Sequence, residues 1–295
     1  MRMFFKPERP HQRKPAGGQA LAAALPRTVI EPSRGWRSVN LREIWNYREL
    51  LGFLTWRDVK IRYKQTVLGF GWAFLQPFTK MVVFSLVFGG LAKIDSQGAP
   101  YPVFVYAGLL PWQFFAESLR RSSQSVVASA NVITKVYFPR LVVPLASVGG
   151  CLVDFAISFL ILIGLMIFYG ITPPLSILWV VPLSVATVVV SLGIGTLISA
   201  LNVAYRDFRY VIPFVVQIWL FLTPVIYPVN AVPPRWQWLL SLNPMSGIVD
   251  GFRSAILHRP FAWGNLTISA ATAVAAFLVS LIYFRRIERR FADII

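Results

Sequence analysis

Residues 141–169, LVVPLASVGGCLVDFAISFLILIGLMIFY, decide the fold of this chain. An α-helix rises 1.5 Å per residue, so about 20 apolar residues cross a bilayer core of about 30 Å. The stretch exceeds that length and contains a single charged side chain, Asp154. It therefore predicts a membrane-spanning helix.

The rest of the chain repeats this pattern. Of its 295 residues, 56% are hydrophobic and 14% are charged, whereas soluble domains carry about 25% charged residues. Further apolar runs occupy residues 68–91, 101–119, 177–201, 211–227 and 266–284. The sequence therefore predicts an all-α integral membrane protein with six transmembrane helices.

Two segments precede the first span. Residues 1–39 are rich in proline and basic residues and lack apolar periodicity, which predicts a disordered basic cytoplasmic tail. Asn40 then predicts the N-cap of an N-terminal amphipathic interface helix. At 100° per residue its charged side chains share a sector of about 80°, namely Arg42, Glu49, Arg57, Lys60 and Lys64. The alternative is a solvated helix of a small cytosolic domain.

The basic residues orient the spans. Of the 29 lysines and arginines, 14 precede Val67. If the N-terminus is cytoplasmic, the inner segments hold 24 of them and the outer loops hold 4. The positive-inside rule then places both termini in the cytoplasm. Because the net charge of +17 is concentrated at the ends of apolar runs, we expect no nucleic-acid binding.

Residues 228–264, between the fifth and sixth spans, predict two short re-entrant outer helices joined near Asn243. Backbone at membrane depth must be buried in protein or line a watery cavity. We therefore interpret Pro244 to Gly247 as the bend of an outer gate, in which Asp250 and Arg253 are spaced to form an ion pair. The gate residues are Pro244, Met245, Gly247, Asp250 and Arg253. A static plug at the dimer interface is the other interpretation.

The sequence lacks the motifs of several enzyme classes. It contains no G-x-x-x-x-G-K-[ST], G-x-S-x-G or H-E-x-x-H pattern. Its one cysteine, Cys151, lies in an apolar run, and its two histidines, His11 and His258, are far apart. We expect no catalytic site, no metal site and no cofactor in this chain. An energised transporter with this sequence needs ATP hydrolysis by another subunit.

Five stretches together carry a family resemblance. They are FLTWRDVKIRYKQTVLGFGWAFLQPF from Phe53, YAGLLPWQFFAESLRRSSQSVVASANVITKVYFPRLVVP from Tyr106, ALNVAYRDFRYVIPFVVQIWLFLTPVIYP from Ala200, LNPMSGIVDGFR from Leu242 and YFRRIERRFADII from Tyr283. In this order they resemble the permease subunit of polysaccharide-exporting ABC transporters of the bacterial inner membrane. Those permeases export lipid-linked O-antigen, capsule or teichoic acid chains. The resemblance implies that residues 40–295 form a six-span ABC exporter domain.

The resemblance implies a homodimer with two ATPase subunits, which bind ATP and magnesium, and an outward path between the permease subunits. It also implies that residues 130–140 form a coupling helix that contacts the ATPase. Within this segment the expected contact or capping residues are Asn131, Val132, Ile133, Lys135, Val136, Tyr137, Phe138 and Arg140. Further residues expected to face the ATPase are Arg57, Asp58, Arg62, Tyr63, Tyr205, Arg206 and Asp207. Alternatively, the segment is a basic loop without a partner, and Asp207 caps a helix or pairs locally with Arg206 or Arg209.

Aromatic and amide side chains in the spans suggest the lining of a glycan path, because aromatic faces suit sugar rings. The candidates are Trp72, Gln76, Lys80, Tyr106, Gln113, Gln217 and Trp219. Interfacial anchoring and helix packing are the alternatives. A charge at mid-span costs about 2.5–3.5 kcal/mol, so Lys80 should contact an acidic substrate group, pair with Asp154 or snorkel.

Two other functions compete with export. A membrane-embedded glycan-modifying transferase would need a base or metal ligands clustered at one membrane face, and the sequence shows none. A passive channel would have no evident use for a coupling helix or a basic interface helix. The sequence leaves the identity of the polysaccharide open.

Overall fold

The computed structural model describes residues 41–64 and 71–288, and none of these residues forms a strand. The predicted tail, residues 1–39, and the predicted N-cap at Asn40 lie outside the described residues. The helices are α1 (Leu41–Asn46), α2 (Arg48–Lys64), α3 (Gly71–Phe84), α4 (Tyr101–Ala128), α5 (Ala130–Ile133), α6 (Val142–Phe168), α7 (Val180–Ala204), α8 (Phe208–Leu222), α9 (Pro234–Leu242), α10 (Pro244–Ile256) and α11 (Trp263–Glu288).

Four helical segments of the described chain are long and apolar enough to cross a membrane. They are Gly71–Leu91, in which α3 continues as a π-helix, Val142–Phe168, Leu175–Ala204, in which a 3₁₀ turn leads into α7, and Trp263–Glu288. These match the first, third, fourth and sixth predicted spans. The protein is therefore an all-helical membrane protein with several apolar helices.

The second and fifth predicted spans correspond to α4 and α8. The 28 residues of α4 give it a length of about 42 Å, but its second half carries Glu117, Arg120 and Arg121. The apolar helix α8 has only 15 residues. Neither helix combines the length and hydropathy of the four membrane-spanning candidates named above.

Helix α4 lies at the centre of the molecule. Most of its side chains are buried, and it packs against α6, α7 and α10. Gly195 of α7 permits close packing, because a Cβ there would lie 3.0 Å from Ser122 of α4. Gly193 faces α11 in the same way, with a Cβ 2.8 Å from Phe277 Cα. Small residues thus let the central helices approach each other closely.

A separate apolar cluster closes one end of the helices. It joins α2, α4, α5, α6, α7 and α11, and we call it the end cluster. Its buried members are Leu54, Val126, Ile133, Phe138, Leu141, Val142, Val143, Ala146, Ala200, Val203 and Phe284. The segment expected to contact an ATPase, residues 130–140, therefore rests on this cluster.

Helix α2 was predicted to be an amphipathic interface helix. In the structure its apolar residues are spread around the helix and do not form a single face. Leu54 and Val59 are buried, whereas Phe53 and Trp56 are each 66% exposed. Helix α2 packs against α6, so one side contacts protein and aromatic side chains occupy the other. Such exposed aromatic residues are typical of the membrane–water interface.

Substituting alanine for Gly193 should destabilise the protein, because the added methyl group would collide with the backbone of α11 at Phe277. Overpacking of this kind costs about 1–3 kcal/mol. The midpoint of thermal unfolding in detergent measures the effect. Gly164→Ala in α6 is the matched control, since a Cβ there meets no atom within 4 Å. Equal midpoints for the two variants would contradict the packing account.

Candidate functional site

Residues 130–140, the coupling segment, present a divided apolar surface. Val136 is 57% exposed and Tyr137 is 68% exposed, and Val132 and Lys135 are exposed beside them. In contrast, two residues that were expected to contact the ATPase are buried in the end cluster: Ile133 is 7% exposed and Phe138 is 5% exposed. They anchor the segment to the permease.

The local structure of the coupling segment also differs from expectation. Asn131 lies inside the four-residue helix α5, whose N-cap residue is Ser129, so Asn131 is not a cap. At the other end of the segment, the Arg140 amide N–H donates to Glu288 Oε1 at 3.1 Å. The Arg140 guanidinium donates to the Glu288 carbonyl. Arg140 is thus bound to α11 of its own chain.

Arg62 and Tyr63, expected to face the ATPase, contact α6 instead. The Arg62 guanidinium forms an ion pair with Asp154, and the Tyr63 hydroxyl donates to the same carboxylate. Burial raises the pKa of Tyr63 above its ordinary value, which keeps this hydroxyl protonated. Asp154 is therefore paired with Arg62, and the proposed ion pair of Asp154 with Lys80 is wrong.

Arg57 and Asp58 lie one helical turn earlier in α2. The Arg57 guanidinium pairs with the neighbouring Asp58 carboxylate at 2.9 Å. Both side chains are partly exposed, so this local pair contributes little to stability. It leaves both residues at the surface.

The turn at Tyr205, Arg206 and Asp207 is exposed at the end where the coupling segment lies. Tyr205 is 62% exposed. Just before it, Asn202 Nδ2 donates to the Ser123 carbonyl of α4 at 2.7 Å, which joins the end of α7 to the helix that leads into the coupling segment. Asp207 occupies the N-cap position of α8, but its side chain makes no capping hydrogen bond. Asp207 is therefore not explained as a cap.

The candidate path residues fall into two groups. Trp72, Gln76 and Lys80 of α3 are exposed, and their spacing of four residues places them on one face. Gln217 of α8 is exposed as well. Each of these four side chains is therefore accessible from outside the subunit.

Three other candidates lie inside the subunit. Tyr106 is fully buried, and its hydroxyl donates to the Ser158 carbonyl at 3.0 Å. Trp219 packs edge-on against Phe115 with ring centroids 5.2 Å apart. Gln113 is partly buried, and its Nε2 atom has no hydrogen-bond partner among the described residues. Tyr106 and Trp219 thus serve helix packing in this subunit.

The two short helices between the fifth and sixth predicted spans are present as α9 and α10. They meet at Asn243, whose Oδ1 accepts from the Met245 N–H at 3.1 Å and caps α10. Asn243 Nδ2 donates to Thr223 Oγ1 at 2.8 Å. The bend lies at Asn243, and Pro244 to Gly247 form the first turn of α10, which corrects the predicted position of the gate bend.

Arg253 is the most deeply buried charge of α10. Its side chain is 1% exposed, and it donates to the backbone carbonyls of four residues, namely Phe104, Pro224, Val225 and Tyr227. Its guanidinium carbon also lies 3.8 Å from the centroid of the Phe104 ring. Among the described residues Arg253 forms no ion pair with Asp250, so the predicted pair is wrong.

The sequence did not predict that Arg253 binds backbone carbonyls, because most of these acceptors lie in a distant irregular segment. Residues 224–227 follow α8, and no residue type marks a free backbone carbonyl. The arginine at a buried position of α10 was the available signal, because a buried charge needs a set of partners. With these hydrogen bonds Arg253 joins α10 to α4 and to the end of α8.

Comparison with known proteins assigns the chain to a class. A family model described as ABC-2 type transporter matches residues 49–257. An O-antigen export system permease protein RfbA of Myxococcus xanthus is 30% identical, over 84% of this chain and 96% of the relative. Another, from Klebsiella pneumoniae, is 29% identical over 84% of this chain and 95% of the relative. The polysialic acid transport protein KpsM of Escherichia coli is 22% identical over 79% and 91%.

Replacing Arg253 with methionine should destabilise the subunit strongly. The variant leaves the carbonyls of Pro224, Val225 and Tyr227 without the arginine donor, and a buried group left unsatisfied costs about 1–3 kcal/mol. Arg253→Lys should recover only part of the loss, because an ammonium cannot reproduce the planar fork. The yield of monodisperse protein and its unfolding midpoint measure this. Arg235→Met, at an exposed position, is the control. A midpoint for Arg253→Met equal to that of the control would refute the structural role.

Proposed function

This chain belongs to the ABC-2 type transporter family, and we propose that it is the transmembrane subunit of an ATP-driven exporter of lipid-linked polysaccharide in the bacterial inner membrane. The observation that carries the proposal is the extent of the similarity. Relatives named as O-antigen export and polysialic acid transport proteins match 79–84% of this chain. The cargo is accordingly a long glycan of the O-antigen, capsule or teichoic acid type.

The proposed exporter takes its energy from a separate ATPase subunit that binds ATP and magnesium. The sequence supports this division, because it contains no G-x-x-x-x-G-K-[ST] phosphate loop. Two permease subunits and two ATPase subunits assemble, with both permease termini in the cytoplasm. Six spans result when α4 and α8 count as the second and fifth, with α9 and α10 as the re-entrant outer pair.

The surface proposed for ATPase docking consists of the exposed part of the coupling segment and the Tyr205 turn. Val132, Val136 and Tyr137 place apolar side chains in solvent beside Lys135. An exposed apolar patch rimmed by polar groups is typical of a protein contact. Ile133 and Phe138 anchor this patch to the end cluster. A displacement of the patch by the ATPase would therefore also displace α4 and α6.

The proposed path runs along the exposed face of α3 that carries Trp72, Gln76 and Lys80, and past Gln217 of α8, between two permease subunits. Aromatic, amide and ammonium groups together suit a polar glycan attached to an acidic carrier. Lys80 is exposed and is not paired with Asp154, which is consistent with a role toward substrate.

A transferase or a passive channel receives less support. The carboxylates of α4 and α6 that could act as a base, Glu117 and Asp154, are both held by arginines. A general base needs access to its substrate proton. The exposed coupling segment has no use in a channel that operates without an ATPase.

Substituting alanine for Tyr137 should weaken ATPase binding and ATP-driven export by roughly tenfold, because aromatic side chains at an interface commonly contribute 1–2 kcal/mol or more. The permease itself should remain folded, since this side chain is exposed. Co-purification of the ATPase and glycan export in cells measure both effects. Tyr169→Ala, at the far end of α6, is the matched control.

The neighbouring residue provides a contrast. Phe138→Ala should lower the amount of folded permease, because it removes a buried ring from the end cluster at a cost of about 3–5 kcal/mol. If Tyr137→Ala preserved both ATPase association and export, the docking surface would lie elsewhere.

Substituting methionine for Lys80 should reduce export several-fold while leaving ATPase association intact, because it removes the positive charge and keeps the length of the side chain. Export of lipid-linked glycan per complex is the measurement. Lys80→Arg should retain most activity, and Lys93→Met, in the loop after α3, controls for a general loss of charge. Normal export by Lys80→Met would show that Lys80 only snorkels.

A further inference from the structure

Helix α11 is attached by hydrogen bonds to the coupling segment at one end and to the α9–α10 junction at the other. It contains 26 residues. From Ser269 to Glu288 a regular helix extends about 28 Å, which is close to the thickness of a bilayer core. A single helix thus links two functional regions that lie on opposite sides of the subunit.

The attachment at the coupling segment is reciprocal. The Glu288 carboxylate accepts from the Arg140 amide N–H at 3.1 Å, and the Arg140 guanidinium donates to the Glu288 carbonyl. Each residue therefore uses its side chain on the other residue's backbone. Arg140 lies two residues before α6, whose N-cap is Leu141, so the carboxylate also lies near the positive end of that helix dipole.

The surroundings strengthen this attachment. Phe138 and Leu141, which flank Arg140 closely in sequence, are buried in the end cluster together with Phe284 of α11. Phe284 is 1% exposed. Hydrogen bonds beside an apolar cluster compete less with water than fully exposed ones. A displacement of the coupling segment should therefore move the adjacent end of α11.

The attachment at the other end centres on Ser269. Its hydroxyl accepts from the Gly247 N–H at 3.1 Å, and lies within 3.2 Å of both the Ser241 and Asn243 carbonyls. A Cβ at Gly247 would lie 2.6 Å from this hydroxyl, so glycine permits the contact. One turn earlier, Asn265 Oδ1 accepts from Ser241 Oγ at 2.9 Å. Helices α9 and α10 are thus both bonded to α11.

Between these ends α11 is supported along one side. Ala273 and Ser280 are buried, and Gly193 of α7 packs directly on Phe277. A supported helix with no internal proline or glycine between Ser269 and Glu288 is stiff. Movement at one end can therefore pass to the other as a shift of the whole helix.

We propose that α11 transmits the movement of the coupling segment to α9 and α10, with Arg140 and Glu288 as the positioning residues at its cytoplasmic end. The inference rests on the proposed function, because it takes the coupling segment as the docking site of the ATPase. It assigns to the last span a role in opening the outer side of the path for the glycan. Helix α4 provides a competing route, since it leads into α5 and binds Arg253 of α10 through the Phe104 carbonyl.

A thiol reporter on α9 tests the proposal in the assembled complex. Leu239 of α9 is 42% exposed, and the chain's one native cysteine, Cys151, is buried. Leu239→Cys would be labelled with a membrane-impermeant maleimide, in the permease–ATPase complex reconstituted in vesicles. The rate is compared between the resting complex and the complex trapped with ATP and orthovanadate. We expect trapping to change the labelling rate.

Glu288→Ala removes the acceptor of the Arg140 N–H but keeps the carbonyl that accepts from the Arg140 guanidinium. It should therefore reduce this change, and should lower the glycan exported per ATP hydrolysed by roughly fivefold, the lower end of the usual range of coupling between distant sites. Glu288→Gln should preserve both, because its amide oxygen still accepts from the Arg140 N–H. A nucleotide-dependent change of undiminished size in Glu288→Ala would overturn the proposal and favour α4 as the route.

A second variant covers the case in which Glu288→Ala does not assemble. Ser269→Ala removes the hydroxyl that binds Gly247, at a site far from the ATPase, and it should also suppress the labelling change. An unaltered change in this variant would equally overturn the proposal. Failure of the proposed function would give a different result. In that case the permease with Tyr137→Ala in addition to Leu239→Cys would still bind the ATPase and would still show the labelling change.

Discussion

A charge that is removed from water must find its partners within the protein, and this requirement organises the structure. Arg253 meets it with four backbone carbonyls and the face of Phe104. Asp154 meets it with Arg62 and Tyr63. In both cases the partners lie far away in the sequence, so the contacts join distant helices. The buried Arg253 therefore joins α10 to α4, and the partly buried Asp154 joins α2 to α6.

These attachments divide the subunit into two regions with different properties. At one end, the end cluster holds a coupling segment whose remaining apolar side chains point into solvent. At the other, α10 is buried along nearly its whole length and bonded to its neighbours. Because Pro244 to Gly247 lie in the buried helix α10, this stretch is not a flexible bend. Movement of this region would then require a shift of α10 together with α9 and α11.

Much of the fold could be predicted from the sequence, because membrane spans depend on the local length and hydropathy of a run. The junction of α9 and α10 was predictable as well, since asparagine followed by proline favours a cap and a first helical turn. Partners were harder to predict. The carbonyls that bind Arg253 and the Glu288 carboxylate that accepts from Arg140 are specified by tertiary packing alone. Tyr137 and Phe138 illustrate the same limit, because two adjacent apolar residues point in different directions and only the packed structure shows which one is buried.

We propose that this subunit exports a lipid-linked glycan only when an ATPase acts on it. The most direct measurement is transport in vesicles that contain the permease with its co-purified ATPase and a labelled lipid-linked glycan. We predict that the glycan crosses the membrane chemically unchanged when ATP is hydrolysed, and stays in place without ATP or without the ATPase. Passage of the glycan without ATP, or its chemical modification by the permease alone, would contradict the account.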